Sequence, residues 1–330
     1  MSFLRRQEST MKLQTKIPLP KQSHNLVDYN SRILLLGSCF AENIGEKFNY
    51  FKFQNTINPF GILFHPKAIE NLITNAVNEK EYTADDVFLH NEQWHSFDAH
   101  SKLSNVSKED LLGGLNNAIK STNQQINSST HIIITLGTSW AYRHIESDKT
   151  VANCHKVSQK QFLKELLSVD EIVQCLQAII ALIKQENPKT SIIFTVSPVR
   201  HIKDGFVENT LSKSQLISAI HQLLRESSSL SVADGYFPSY EIMMDELRDY
   251  RFYAEDLIHP STTAINYIWE RFKTVWMCEE TTKIMDQVEI VQKGLNHQPF
   301  NPSTTQHKIF VENLKRNQEQ LSAQFTHITF

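Results

Sequence analysis

Three short, mainly apolar runs constrain this chain more than any other feature: residues 32–36, 131–136 and 191–196. Each stops abruptly, the first at Gly37, the second at Gly137 and the third at Ser197-Pro198. A strand with one wet face alternates apolar and polar residues. A strand covered on both faces, as in a buried parallel sheet, reads as a continuous run. Residues 40–48, 66–77, 108–126, 160–185, 211–226, 238–247 and 262–277 carry helical patterns, and residues 50–54 and 230–233 read as two further strands. Strands that alternate with helices at least four times predict a three-layer α/β/α sandwich around a five-stranded, mostly parallel sheet. Ligands of such sheets sit outside the carboxyl ends of the strands, so a site is expected among residues 37–40, 55–61, 137–143 and 197–201.

Composition narrows the classes. Hydrophobic residues make up 40% of the 330 and charged residues 21%, enough apolar material for a large core and too little charge for a disordered chain. A net charge of −3 gives no general attraction to nucleic acid or anionic lipid. No apolar stretch approaches the roughly 18 residues of a membrane span, and the N-terminus lacks the apolar run of a secretory signal. A cytoplasmic protein is expected, with neither nucleic acid nor membrane as partner. The four cysteines are scattered without a CxxC pair, so neither disulfide framework nor zinc ribbon is indicated. No GxGxxG or GxxxxGK[ST] motif appears, and no cofactor is expected. Residues 1–11 read as a disordered lead or start-site extension, 12–280 as the α/β domain and 281–330 as a helical appendage. That appendage either packs back on the domain or mediates self-association. Within the domain, residues 79–106 form an excursion without clear period, a small hairpin or a lid. Its His90, His95, Asp98 and His100 match no established metal spacing, and no metal is expected.

Two segments carry nucleophilic chemistry. Gly37-Ser38-Cys39-Phe40-Ala41 follows the first strand directly and opens a helix, which places two nucleophilic side chains at the sheet's carboxyl edge. A thiol there is expected to have a lowered pKa, and the free N–H groups of the helix start suit an oxyanion. Asp256-Leu257-Ile258-His259 spaces a carboxylate three residues from an imidazole, so one ring nitrogen can be held while the other acts as base. Nucleophile, base and orienter are thus present on one chain.

These segments, with Asn58-Pro59-Phe60-Gly61 and Gly137-Thr138-Ser139, resemble the SGNH (GDSL-type) hydrolase superfamily, and Gly37 through Ala41 matches the motif of its GSCFA branch. Residues 153–156, 195–201, 240–244 and 251–253 are similar to that family as well, so the likeness spans roughly residues 12–280. It implies a flavodoxin-like strand order and acyl chemistry through a covalent acyl-enzyme. By the resemblance, Cys39 takes the place of the superfamily's serine and Ser38 that of the preceding aspartate. Gly61 lends an oxyanion N–H, and Asp256 and His259 fill the last block. Ser139 stands where the superfamily has an asparagine, and a hydroxyl reaches less far than an amide.

Cys39 is the first choice of nucleophile and Ser38 the second. Asn58, Thr138, Arg143, His155 and Arg200 follow strand ends and are expected to line the same cleft, the arginines as forks for a carboxylate or phosphate or as partners of nearby acids. The leading expectation is a hydrolase or acyltransferase acting on an ester of a carbohydrate-like or other small substrate. A non-catalytic glycan- or metabolite-binding protein on the same frame is the alternative. An assembly protein working through the C-terminal helices is a third reading.

Overall fold

In the computed structural model, which describes residues 14–226, 230–231 and 234–330, the apolar runs become the centre of one parallel sheet. The chain runs β1 (Arg32–Gly37), α1 (Cys39–Tyr50), β2 (Gln54–Ile57), α2 (Pro66–Val77), and a hairpin of β3 (Phe88–His90) and β4 (Gln93–His95). Then come α3 (Lys108–Ser128), β5 (His131–Leu136), β6 (Trp140–His144), β7 (Lys149–Val151), β8 (Phe162–Leu166), α4 (Val169–Glu186), β9 (Ser191–Val196) and α5 (Phe206–Glu226). The last part comprises β10 (Gly235–Phe237), α6 (Ser239–Glu241) running on into a π-helical turn at Ile242–Glu246, α7 (Thr262–Trp276), α8 (Glu279–Leu295) and α9 (Thr305–Gln324).

The main sheet has the order β10-β9-β5-β1-β2 with every pair parallel. Counted along the chain this is the 2-1-3-4-5 flavodoxin-like order. The direction of strand addition reverses between β1 and β5, the crevice where such folds place ligands. Alternate strand residues build two cores. Leu34, Leu36, Ile132, Ile134 and Phe194 pack with α2–α5, while Ile33, Leu35, Ile133 and Ile193 pack with α1, α7, α8 and α9. No helix among the described residues is long and apolar enough to cross a membrane.

Three elements differ from the sequence reading. Residues 160–185 are not one helix: Phe162–Leu166 pairs antiparallel with β6, and the helix starts only at Val169. Ser168 and Glu171 close a capping box there, which fixes the start more strongly than the leucine spacing extends it upstream. The strand expected at 50–54 is displaced to Gln54–Ile57, because α1 runs on to Tyr50. The strand expected at 230–233 is Gly235–Phe237, paired with β9; residues 232–233 and the expected lead at 1–11 lie outside the described residues. The 79–106 excursion does contain a hairpin, turned through Asn91 and Glu92, both at positive φ.

Candidate active site

Strand register brings the carboxyl edge to one level. Gly37, Thr135 and Thr195 are cross-strand neighbours on β1, β5 and β9, so Cys39, Gly137 and Ser197 each lie two residues beyond it. Gly37 has φ +134°, and a Cβ there would sit 2.1 Å from the Thr135 carbonyl oxygen. Only glycine fits, and its N–H is held by Asn58 Oδ1 at 2.8 Å. Ser38 N–H then donates to Thr135 O at 3.0 Å, and its hydroxyl caps α1 by accepting from Phe40 N–H at 3.3 Å. Cys39 is the first residue of the helix, and its own N–H and that of Phe40 favour its ionised form. The thiol pKa is nevertheless raised, not lowered as expected: burial outweighs the nearby Lys213 charge and these N–H groups.

The second element approaches the same edge. Asp256 Oδ1 accepts the backbone N–H groups of Ile258 (2.9 Å) and His259 (3.0 Å), while Oδ2 accepts from His259 Nδ1 at 2.6 Å. The His259 backbone N–H, then its imidazole, hold the Asp256 carboxyl down at about 2, so it is ionised and must be the acceptor. Nε2 of His259 is left to bind a proton, and the ring is half exposed. Tyr253 bridges to Pro260, which closes the loop, and Ser261 caps α7 immediately after. Helices α1 and α7 pack through Phe48 against Trp269 (ring centroids 4.9 Å) and Phe272, and Lys47 reaches Asn266. Phe48 lies nine residues beyond Cys39 and Trp269 ten beyond His259. Helix α7, which follows His259, thus packs on the helix that Cys39 opens.

A lysine crosses from the opposite layer. Lys213 of α5 is buried, and its Nζ donates to the carbonyls of Gly137 (2.6 Å) and Ser197 (2.7 Å). Burial lowers its pKa to about 7, against a raising effect of Cys39. His201 stands beside it, with Nε2 buried and unpartnered against Gly137, where a Cβ would be 3.1 Å away. Burial first, then the charges of Lys213 and His259, depress His201 to about 3. Cys39, Lys213, His201 and His259 thus form one electrostatically linked group at the switch point.

A family model described as the GSCFA family matches residues 32–272. The chain belongs to the GSCFA family. A second model, the GSCFA domain protein C-terminal domain, matches residues 288–330. A comparison with curated proteins finds no match. Similar solved structures include a carbohydrate esterase family 3 from Talaromyces cellulolyticus, with TM-score 0.34 and 7% identity over 78% of this chain and 98% of that one. An acetyl esterase mutant with acetate ion gives 0.35 and 8% over 79% and 99%. An acetyl xylan esterase from the rumen bacterium Butyrivibrio proteoclasticus gives 0.36 and 9% over 75% and 64%.

The remaining expected residues of this GSCFA protein divide between edge and scaffold. The Gly61 N–H, expected to serve an oxyanion, instead closes the Asn58 turn by donating to Asn58 O at 2.7 Å, and the excursion's His100 packs on its Cα. Asn58, at φ +41°, is buried with its Nδ2 unpartnered, directly beside Gly37. The Ser139 hydroxyl donates to Gln215 Oε1 at 2.9 Å, while Thr138 Oγ1 and Ser139 N–H both engage Ser212 Oγ. Both residues therefore dock α5 on the sheet end rather than face the edge. Arg143 is paired with Glu165 at 2.8 Å and with Asp148 on the small β7-β6-β8 sheet, the ion-pair reading of that residue. His155 donates from Nε2 to Ser96 O at 2.7 Å and stacks on His95, in a small cluster with Phe88 and Phe97. Burial lowers His155 to about 4. His95 itself is spent on His90 O and Ser104, and Asp98 on Lys80 and Tyr82. No group of three or more metal-ligating side chains forms among the described residues. Arg200 alone of the flanking set stays beside the dyad, its N–H on Ile258 O at 3.2 Å.

Lys213 escaped the sequence reading. Its signal was its place on the inward face of α5, three residues before the buried Leu216 and four after the buried Asn209. A lysine on an apolar stripe is almost never left there without a partner.

Proposed function

We propose that this protein is an SGNH-type acyl-ester hydrolase acting on a small or carbohydrate-like ester, with Cys39 as nucleophile, His259 as base and Asp256 as its orienter. The observation that carries this is the Asp256-held imidazole just before α7, a helix that packs on the α1 opened by Cys39. His259 Nε2 takes the thiol proton as the sulfur attacks the ester carbonyl. The Cys39 N–H holds the developing oxyanion, and the unpartnered Asn58 Nδ2 beside Gly37 is a further donor. The tetrahedral adduct collapses as His259 returns the proton to the leaving alkoxide. Water, activated by the same imidazole, then frees the acid. An acceptor hydroxyl in place of water makes the same intermediate a transferase's. Lys213, held by two carbonyls at the sheet end, partly counters the burial that keeps the thiol protonated.

One observation favours the alternative of a binding protein: Gly61 N–H and the Ser139 hydroxyl are already engaged elsewhere. Intact-protein mass spectrometry after exposure to 4-nitrophenyl acetate decides between them. An acetyl adduct is expected on wild type and on Ser38→Ala but not on Cys39→Ala, with formation on His259→Ala slower by about 100- to 10,000-fold. No adduct on folded wild type, for this and longer activated esters, would leave the binding reading.

A further inference from the structure

A second feature lies at the base of the loop that carries Asp256 and His259, where Tyr253 lines a cavity. The cavity, of about 200 Å³, lies between Arg200, Met243, Met244, Arg248, Tyr250 and Tyr253. It adjoins the dyad on two sides. Arg200 N–H holds Ile258 O, and Tyr253 belongs to the bridge that closes the loop at Pro260. Arg200 lays its guanidinium over the Tyr253 ring, 4.3 Å from the centroid, with Tyr250 5.6 Å away. The Arg200 guanidinium, stacked by its face and hydrogen-bonded to the Tyr253 hydroxyl, keeps further N–H groups on its edge for an acceptor.

Neither arginine has a carboxylate partner among the described residues. The one acid on the cavity wall, Asp249, is paired with Arg251 at 3.0 Å and accepts that residue's backbone N–H. Arg200 and Arg248 therefore line one cleft together with Tyr250, Tyr253, Met243, Met244 and Leu247. The apolar wall accommodates the carbon frame that bears the anion, and the volume limits it to a small group.

We propose that this cavity receives an oxyanion, a carboxylate or phosphate carried by the substrate, on Arg200 and Arg248, which makes the substrate an anionic ester. The role as substrate subsite rests on the hydrolase reading; the anion site itself does not. The test therefore measures binding in the absence of chemistry, on full-length Cys39→Ala protein by titration calorimetry. The probes are monomethyl succinate, which is a carboxylate, and dimethyl succinate, its neutral counterpart. The half ester is expected to bind at least about tenfold more tightly, the advantage of a charge-assisted contact. That preference should shrink as salt rises, and added inorganic phosphate should displace the half ester if tetrahedral anions fit as well. Adding Arg200→Gln should bring the two affinities within about twofold. Arg200→Lys, which keeps the charge and loses the fork, should fall between. Equal affinity for the two probes, no measurable binding of either at millimolar concentration, or a preference that survives Arg200→Gln and Arg248→Gln together would overturn the proposal. Failure of the acetyl-adduct experiment with the anion preference intact would instead remove the hydrolase reading and leave an anion-binding cleft.

Discussion

At Lys213, burial and the neighbouring thiol pull in opposite directions on one ammonium proton. Burial wins, and the folded value falls from 10.5 to about 7. Between those two pH values the unfolded chain keeps a proton that the folded chain has released. Stability must then rise with pH across that window, because the unfolded state binds more protons there. Cys39 acts in the other direction, since its folded pKa lies above the ordinary 9.0 and the folded state holds that proton longer. The interval from pH 7 to 9 therefore belongs to the lysine. Urea unfolding of wild type and Lys213→Met across that interval should show wild type gaining stability relative to the variant. The ceiling is about 1.4 kcal/mol per pH unit, one proton's worth. Parallel curves would mean that Lys213 is not the depressed group. The same burial that makes this lysine costly leaves its charge unscreened beside Cys39, so one residue links stability and the reactivity of the edge.

Helix α1 starts where it does because Ser38 caps it, and that local fact separates the two candidate nucleophiles. Ser38→Ala should cost about 1 kcal/mol of stability, the usual loss of a serine cap, while leaving the acetyl adduct on Cys39 in place. Loss of the adduct in a folded Ser38→Ala protein would move the nucleophile to the serine. The cap also shows what local sequence conveys. The runs at 131–136 and 191–196 are legible as buried strands because two-sided burial leaves apolar residues at adjacent positions, and Gly37 and Gly137 are legible as strand ends. Residues 162–166 are not legible. Leu163, Leu166 and Leu167 fall at helical spacing, and only the partner strand β6, twenty residues upstream, makes them a strand. The site divides in the same way. Asp256 and His259 interact through a three-residue loop, so spacing alone foretells their contact. The engagements of Gly61, Ser139 and Arg143 depend on partners near in space, some of them far along the chain, as Gln215 is from Ser139. Lys213 likewise reaches two carbonyls that only the register of β5 and β9 brings together.

Across the whole molecule, the question is whether the last two helices stand apart from the α/β domain. Part of their apolar surface does not, while Ile290, Leu295, Ile309 and Phe310 are exposed. Val288 and Val291 of α8 and Leu314 and Leu321 of α9 are buried in the core that also holds β1, α1 and α7. Gln292 Nε2 donates to Tyr50 O at 2.7 Å at the end of α1, and Phe325 packs its ring on Tyr29, with centroids 5.1 Å apart. Gly294 permits the approach of α9, since a Cβ there would meet Leu314 at 2.5 Å. This layer meets α1, which Cys39 opens, at its far end beside Tyr50. Leu321 is 2% exposed, so Leu321→Ala removes most of a buried side chain and should cost about 2–5 kcal/mol, depending on how far the site collapses. If α9 is an integral part of the core, that cost lowers one cooperative transition. Far-ultraviolet circular dichroism, near-ultraviolet circular dichroism of the tryptophans and the rate of Cys39 acetylation should then fall together on heating or in urea. A separate early transition that loses helix while acetylation persists would show that α8 and α9 are an appendage the domain does not need. Coincidence of the three signals would mean that a change at the C-terminus reaches the nucleophile through α1, with no contact to the site required.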